Sequence, residues 1–171
     1  MATKEPREHL LDWLRDAHAM EQQAETMLKA QADRLVHYGT LKARVLQHLE
    51  ETEWQKAQLE GCIARLGGSP SALKDLSMKM MAFGQAAMGM AVADEVVKNS
   101  LQSYVFENME IASYTVLITA AEQAGDFETR DVCQQILAQE VAMAKWVLDH
   151  LPGTTNAFLT RSAMPGMEAK V

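Results

Sequence analysis

The sequence predicts an all-α fold built from four long helices. Three observations carry that reading. Apolar residues recur every three or four positions along nearly the whole chain, and strand-like alternation is almost absent. The four prolines and nine glycines fall mostly where they divide the chain, not inside the periodic stretches. At 171 residues, 48% hydrophobic and 23% charged, the chain suffices for one continuous core under a water-compatible surface.

The first helix is expected from Arg7 to His37, behind Pro6, a residue suited to a first helical turn. Tyr38-Gly39-Thr40 breaks it, and Thr40 reads as the N-cap of a second helix, Leu41 to Leu66, which stops at Gly67-Gly68. Ser69-Pro70-Ser71 opens a fifth, shorter helix, Ala72 to Met90, weakened by Gly84 and Gly89. The third long helix runs from Ala93 to Gln123 and ends at Gly125, a left-handed cap. Asp126 caps the fourth, which is expected to end before Pro152-Gly153. Residues 1–153 then form the bundle, and 154–171 a tail packed on the surface or on a partner.

The connections predict the topology. Short turns make antiparallel hairpins of the first and last helix pairs. The long stretch between the second and third helices lets the chain return along the bundle. Two hairpins joined by one long crossover are the ferritin-like arrangement; an up-down-up-down bundle with an attached helix is the competitor.

The net charge of −7 argues against nucleic acid and anionic membrane surfaces as partners. No apolar stretch reaches the roughly 20 residues that span a bilayer, and Met1 to Leu10 is charged rather than signal-like. The cytoplasm is therefore the expected location. Cys62 and Cys133 lack CxxC neighbours and read as buried, reduced thiols.

The chemistry lies in acids that occupy core positions. The core stripe of the first helix reads Leu10, Leu14, Ala17, Glu21, Ala24, Leu28. The second reads Leu41, Val45, His48, Thr52, Gln55, Leu59, Cys62, with Glu51 three residues after His48. The third reads Val97, Leu101, Tyr104, Glu107, Ile111, Tyr114, with Glu110 beside Glu107, and the fourth reads Cys133, Ile136, Glu140, Met143, Val147. Each acid falls near the middle of its helix, where antiparallel helices meet at one level. Five carboxylates in a buried layer repel one another, and each costs several kcal/mol to desolvate. No lysine or arginine lies on these stripes near that level. Two divalent cations would neutralise the layer, and oxygen donors with an imidazole suit iron or manganese. The candidate ligands are Glu21, Glu51, Glu107, Glu110, Glu140 and His48, with His48 alternatively a core histidine bonded to a carboxylate. A hydrated, metal-free polar layer is the competing reading. Glu25, Glu50, Glu53 and Glu60 read as solvated, and His9, His18, His37 and His150 as end or surface residues. Met78, Met80, Met81, Met88 and Met90 read as adaptable packing or an interface, and Tyr104 and Tyr114 as buried tyrosines beside the acids.

Four blocks then resemble a known family. They are DWLRDAHAME at 12–21, HLEET at 48–52, FENMEIASY at 106–114, and the segment around Glu140; FLTRS at 158–162 adds a fifth. Together they resemble the YciF/YciE family of bacterial stress proteins over nearly the whole chain, the first block and the tail being most similar to its YciE members. The resemblance implies a rubrerythrin-like bundle, a homodimer and a link to stress responses, without a known reaction. Rubrerythrin-like sites carry Glu on the first helix, Glu-x-x-His on the second and fourth, and Glu-x-x-Glu on the third. Glu21, Glu51, Glu107, Glu110 and Glu140 are similar to the acid positions, but Trp54 and Met143 stand where the histidines would be, and His48 precedes Glu51. The site is poor in histidine, so its metal is expected to be lost readily on purification.

Three functions follow as expectations. The first is a dinuclear iron or manganese protein that reacts with oxygen or peroxide. The second is a non-catalytic dimeric stress protein whose bundle is a scaffold. The third, iron storage, lacks any cage signal in the sequence. No catalytic residue is singled out.

Overall fold

Helix α1 spans Pro6–Arg34 and α2 spans Gly39–Arg65; α3 spans Glu95–Ala124 and α4 spans Phe127–Ser162. The computed structural model describes residues 4–68 and 92–170. The short helix expected at Ala72 to Met90, and the methionines within it, lie outside the described residues. Among the described residues the fold is all-α, as the periodicity predicted.

Two apolar clusters fix the helix directions. One joins Leu10 and Leu14 at the start of α1, Leu59, Cys62 and Ile63 at the end of α2, Leu117 and Ala121 at the end of α3, and Cys133 and Ile136 at the start of α4. The other joins Leu28, Ala32 and Leu35 with Leu41, Val45 and Val96, and Trp146 and Phe158 of α4 pack against it. Helices α1 and α4 therefore run one way, and α2 and α3 the other. Helix α1 touches α2 and α3, and α4 touches the same two. This is the up-down-down-up order of a ferritin-like bundle, and it excludes the up-down-up-down alternative. The chain leaves α2 at one end of the bundle and enters α3 at the other.

Local chemistry sets the helix ends. Pro6 sits in the first turn of α1 as expected, and Glu5 and Glu8 form a capping box there. Helix α1 stops at Arg34 rather than His37. Helix α2 starts at Gly39, so Thr40 lies inside the helix and caps nothing. Gly125 closes α3 with φ 70°, and the Asp126 side chain accepts the Thr129 N–H, both as the sequence predicted.

Two expectations fail on tertiary grounds. Helix α4 does not end before Pro152 but continues through it to Ser162, so the chain beyond the helix begins at Ala163 instead of 154. An internal proline costs about 3 kcal/mol or more. Burial of Phe158 against the second apolar cluster offsets part of that cost. The last residues fold back over the bundle: the Lys170 carbonyl accepts the Val96 N–H, and the Ala169 carbonyl accepts the Tyr38 hydroxyl at 2.5 Å. The stripe of α3 is also rotated from the expected one. Leu101 is exposed, and the buried face runs through Val96, Ser100, Glu107, Glu110, Tyr114 and Leu117. Leu101, Val105, Met109 and Val116 make the opposite face apolar too, so periodicity alone could not choose between them.

Candidate metal centre

A polar layer separates the two apolar clusters. Glu21 comes from α1, His48 and Gln55 from α2, Glu107, Glu110 and Tyr114 from α3, and Glu140 from α4; all are buried. Each stands where a helix of this period must turn a side chain inward, one or two turns from an apolar neighbour: Leu14 before Glu21, Leu59 after Gln55, Ile136 before Glu140.

His48 is the hub. Its Nδ1 lies 2.8 Å from Glu51 Oε2, while its Nε2 faces Glu107 Oε2 at 3.2 Å and Glu140 Oε2 at 3.4 Å. His48, Glu107, Glu110 and Glu140 each offer one donor atom, and those four atoms lie within 4.8 Å of one another. Gln55 donates to Glu140 and, at 3.0 Å, to Gln139. Tyr114 donates its hydroxyl to Glu21.

Burial and mutual repulsion set the protonation. Burial, with the charges of Glu140 and Glu107 behind it, pushes the Glu21 carboxyl well above the usual range. Burial and the charges of Glu21 and Glu140 do the same to Glu110. Burial pushes Glu107 up to about 7 even though His48 opposes it. Burial also opposes ionisation of Glu140, but bonds from His48 and Gln55 outweigh it and hold that carboxyl below its usual range. For His48, burial favours the neutral ring and is overcome by Glu107, Glu140 and Glu51, so its pKa is raised. Without a cation, burial thus favours the protonated form of Glu21, Glu107 and Glu110, while the surrounding acids favour a charged His48 ring.

Three carboxylate oxygens remain buried without an aligned hydrogen-bond donor: Glu110 Oε1, and Glu107 Oε2 and Glu140 Oε2, which the His48 ring approaches off-line. Unsatisfied buried acceptors are costly and rare. Clustered with one imidazole, these carboxylates are hard donors of the kind that iron(II) and manganese(II) take. The residues present fit a metal ion.

The six residues singled out from the sequence separate into two groups. His48, Glu107, Glu110 and Glu140 come together as one cluster. Glu21 lies in the same layer but is engaged by Tyr114, and Glu51 sits at its edge, partly exposed. Arg44 is the cation that sequence reasoning missed: its guanidinium lies 3.2 Å from Glu51 Oε2. Arg44 stands one residue off the core stripe of α2, which itself carries no basic residue at that level. The signal was the seven-residue spacing from Arg44 to Glu51, two turns along one helix face. His18 is likewise not a surface residue; it is buried, with Nε2 3.0 Å from Glu60. Tyr114 is fully buried as expected, whereas Tyr104 is only half-buried. Cys62 and Cys133 are buried free thiols, and burial, then Cys62 and Asp126 nearby, push Cys133 up to about 12.

No helix among the described residues is long and apolar enough to cross a membrane. A crystal structure of a protein from Xanthomonas campestris pv. campestris is similar, with 42% identity and a TM-score of 0.79, over 94% of this chain and all of that one. The model of the domain of unknown function DUF892 matches residues 5–160, and the chain belongs to that family.

Proposed function

We propose that this protein is a stress-response, YciE-like member of its family that holds a dinuclear iron or manganese centre and reacts with oxygen or peroxide. The observation that carries the reading is the buried cluster of His48, Glu107, Glu110 and Glu140, whose four donor atoms lie within 4.8 Å of one another and whose three acids each keep a buried oxygen without an aligned hydrogen-bond donor. When bound, the metals supply the electrons for reduction of the oxidant. The chain's own residues do the rest. His48, Glu107, Glu110 and Glu140 would hold one cation, and Glu21, buried in the same layer, would be the acid available to a second. Tyr114 orients Glu21 through its hydroxyl. The apolar layers of Leu14, Leu59 and Ile136 on one side and of Val45 and Leu28 on the other keep bulk water out.

The test is metal content by plasma mass spectrometry after anaerobic incubation with iron(II) and manganese(II). We expect about two metals per chain, as a dinuclear centre requires. Glu107→Gln combined with Glu140→Gln should abolish uptake, and the iron-loaded wild type should consume peroxide faster than free iron(II). A wild type that takes up neither metal ends this reading.

The second reading is a non-catalytic, dimeric scaffold. An exposed apolar stripe favours it: Leu101, Val105, Met109 and Val116 on α3, beside a groove that Trp13 and Met20 of α1 line. Sedimentation of the metal-free protein, compared with a Val105→Glu variant, tests that face directly.

A further inference from the structure

Spacing marked Glu51 as a sixth metal ligand. We propose instead that Glu51 is a positioning residue, clamped by Arg44 and Gln47, which fixes the His48 ring so that Nε2 points into the carboxylate cluster. The inference rests on the metal-centre reading above and changes who does what within it.

The contrast among the acids carries it. Both oxygens of Glu51 are already taken. Oε1 accepts from Gln47 Nε2 at 3.1 Å and from Arg44 at 3.4 Å. Oε2 accepts from Arg44 at 3.2 and 3.3 Å and from His48 Nδ1 at 2.8 Å. A carboxylate has about four acceptor positions, and here five contacts compete for them. Glu107, Glu110 and Glu140 each keep a buried oxygen with no aligned donor. A cation recruits the acids with free lone pairs, and Glu51 has none to give without breaking its bonds to Arg44 and His48.

The helix builds this clamp by spacing alone. Arg44, His48 and Glu51 stand at i, i+4 and i+7, on one face of α2, and Gln47 stands four before Glu51. Side-chain exposure falls from 20% at Glu51 and 10% at Arg44 to 2% at His48, so the row runs from the bundle edge to its interior. With Nδ1–H committed to Glu51, only Nε2 can serve as a ligand atom. A carboxylate behind a histidine in this way fixes ring orientation and raises ligand basicity. The arrangement also explains why His48 precedes its carboxylate in the sequence: the acid serves the ring and not the metal.

Two readouts test it. The first is manganese(II) affinity and stoichiometry, by competition titration, for wild type, Glu51→Gln and Arg44→Gln. Both variants should keep the wild-type stoichiometry and bind about 10- to 100-fold more weakly, as loss of such a partner does elsewhere. A Glu51→Gln protein that loses one metal per chain makes Glu51 a ligand and overturns the proposal; so does unchanged affinity. The second readout is the downfield Nδ1–H resonance of histidine-labelled, metal-free protein. It should be protected in the wild type and lost in Glu51→Ala while the helical circular dichroism is kept. A resonance untouched by Glu51→Ala overturns the proposal whether or not metal binds. A wild type that takes up no metal ends the metal reading alone, because the resonance still decides whether Glu51 holds the ring.

Discussion

Two layers of this bundle, one or two helical turns apart, obey opposite physics. In the layer of Leu10, Leu14, Leu59, Ile63, Leu117 and Ile136, every side chain is apolar, fully or almost fully buried, and in contact with like neighbours. In the layer of Glu21, His48, Glu107, Glu110 and Glu140, burial is just as complete, yet acids face acids and three oxygens have no aligned donor. The same four helices supply both. The first layer stabilises the fold through apolar area removed from water. The second destabilises it by desolvating charge, and persists because the first can carry it. A layer that costs stability in every helix at one level is where a ligand's binding energy would be used.

Breaking the first layer should give the largest effect. Leu14 is 0% exposed within that cluster, and Leu14→Ala should cost about 3 kcal/mol of unfolding free energy. Chemical denaturation checks the loss. Metal stoichiometry should be unchanged, because no candidate ligand moves from its helix. A variant that unfolds normally but binds no metal would mean that the two layers are not separable.

Removing an acid from the second layer should do the reverse. Glu110 is held well above its unfolded range by burial and by its acidic neighbours. An acid with a raised folded pKa binds more protons folded than unfolded. Its contribution is therefore greatest at low pH and is lost as pH rises from about 4.5 through the folded value. Glu21 and Glu107 act in the same direction, and so does the raised His48 above its unfolded value. Metal-free protein should thus melt at a lower temperature at pH 8 than at pH 5.5. Glu110→Met, similar in volume and uncharged, should stabilise the metal-free protein at pH 8 by about 1 kcal/mol and flatten that slope. Calorimetry at both pH values reads it; a variant less stable than wild type at pH 8 would contradict the account.

Much of this was legible in the sequence, for local reasons. The interrupted stripes exposed Glu21, His48, Glu107 and Glu140, since a seam of leucine and alanine tolerates an acid only at a cost in desolvation. Gly125 and Asp126 declared a turn through backbone chemistry that needs no partner. What stayed hidden was decided by contacts between distant residues. Nothing near Pro152 says that the helix continues, because the packing of Phe158 against the second apolar cluster, which offsets part of the break's cost, is a contact between distant residues. Helix α3 is apolar on both faces, so only its neighbours reveal that Leu101 faces out. The division of the acids into Glu51, whose oxygens are all engaged by donors, and Glu107, Glu110 and Glu140, each with an oxygen that no donor is aligned to, is a matter of ångströms, which spacing does not encode.

The smallest predicted effect sharpens the contrast between a paired acid and an unpaired one. Glu95, in the first turn of α3, accepts from Arg34 at the end of α1, at 2.6 Å for one guanidinium nitrogen, and lies 3.4 Å from Lys170 of the C-terminal segment. The Arg34 bond holds its carboxyl below the usual range against the opposing effect of burial, and Lys170 adds to it. Here the sign is the ordinary one. A depressed folded pKa gives stability that is present above about pH 4.5 and is lost as pH falls through the folded value. Arg34 is half exposed, so solvent screening keeps the contribution to about 0.5–1 kcal/mol. Glu95→Gln should therefore cost that much at pH 7, less in 1 M salt, and almost nothing at pH 3. Urea titrations at the two pH values measure the gap. A gap that persists at pH 3 would assign the cost to lost packing, and the pairing of this buried acid would then not be what sets it apart from the acids in the central layer.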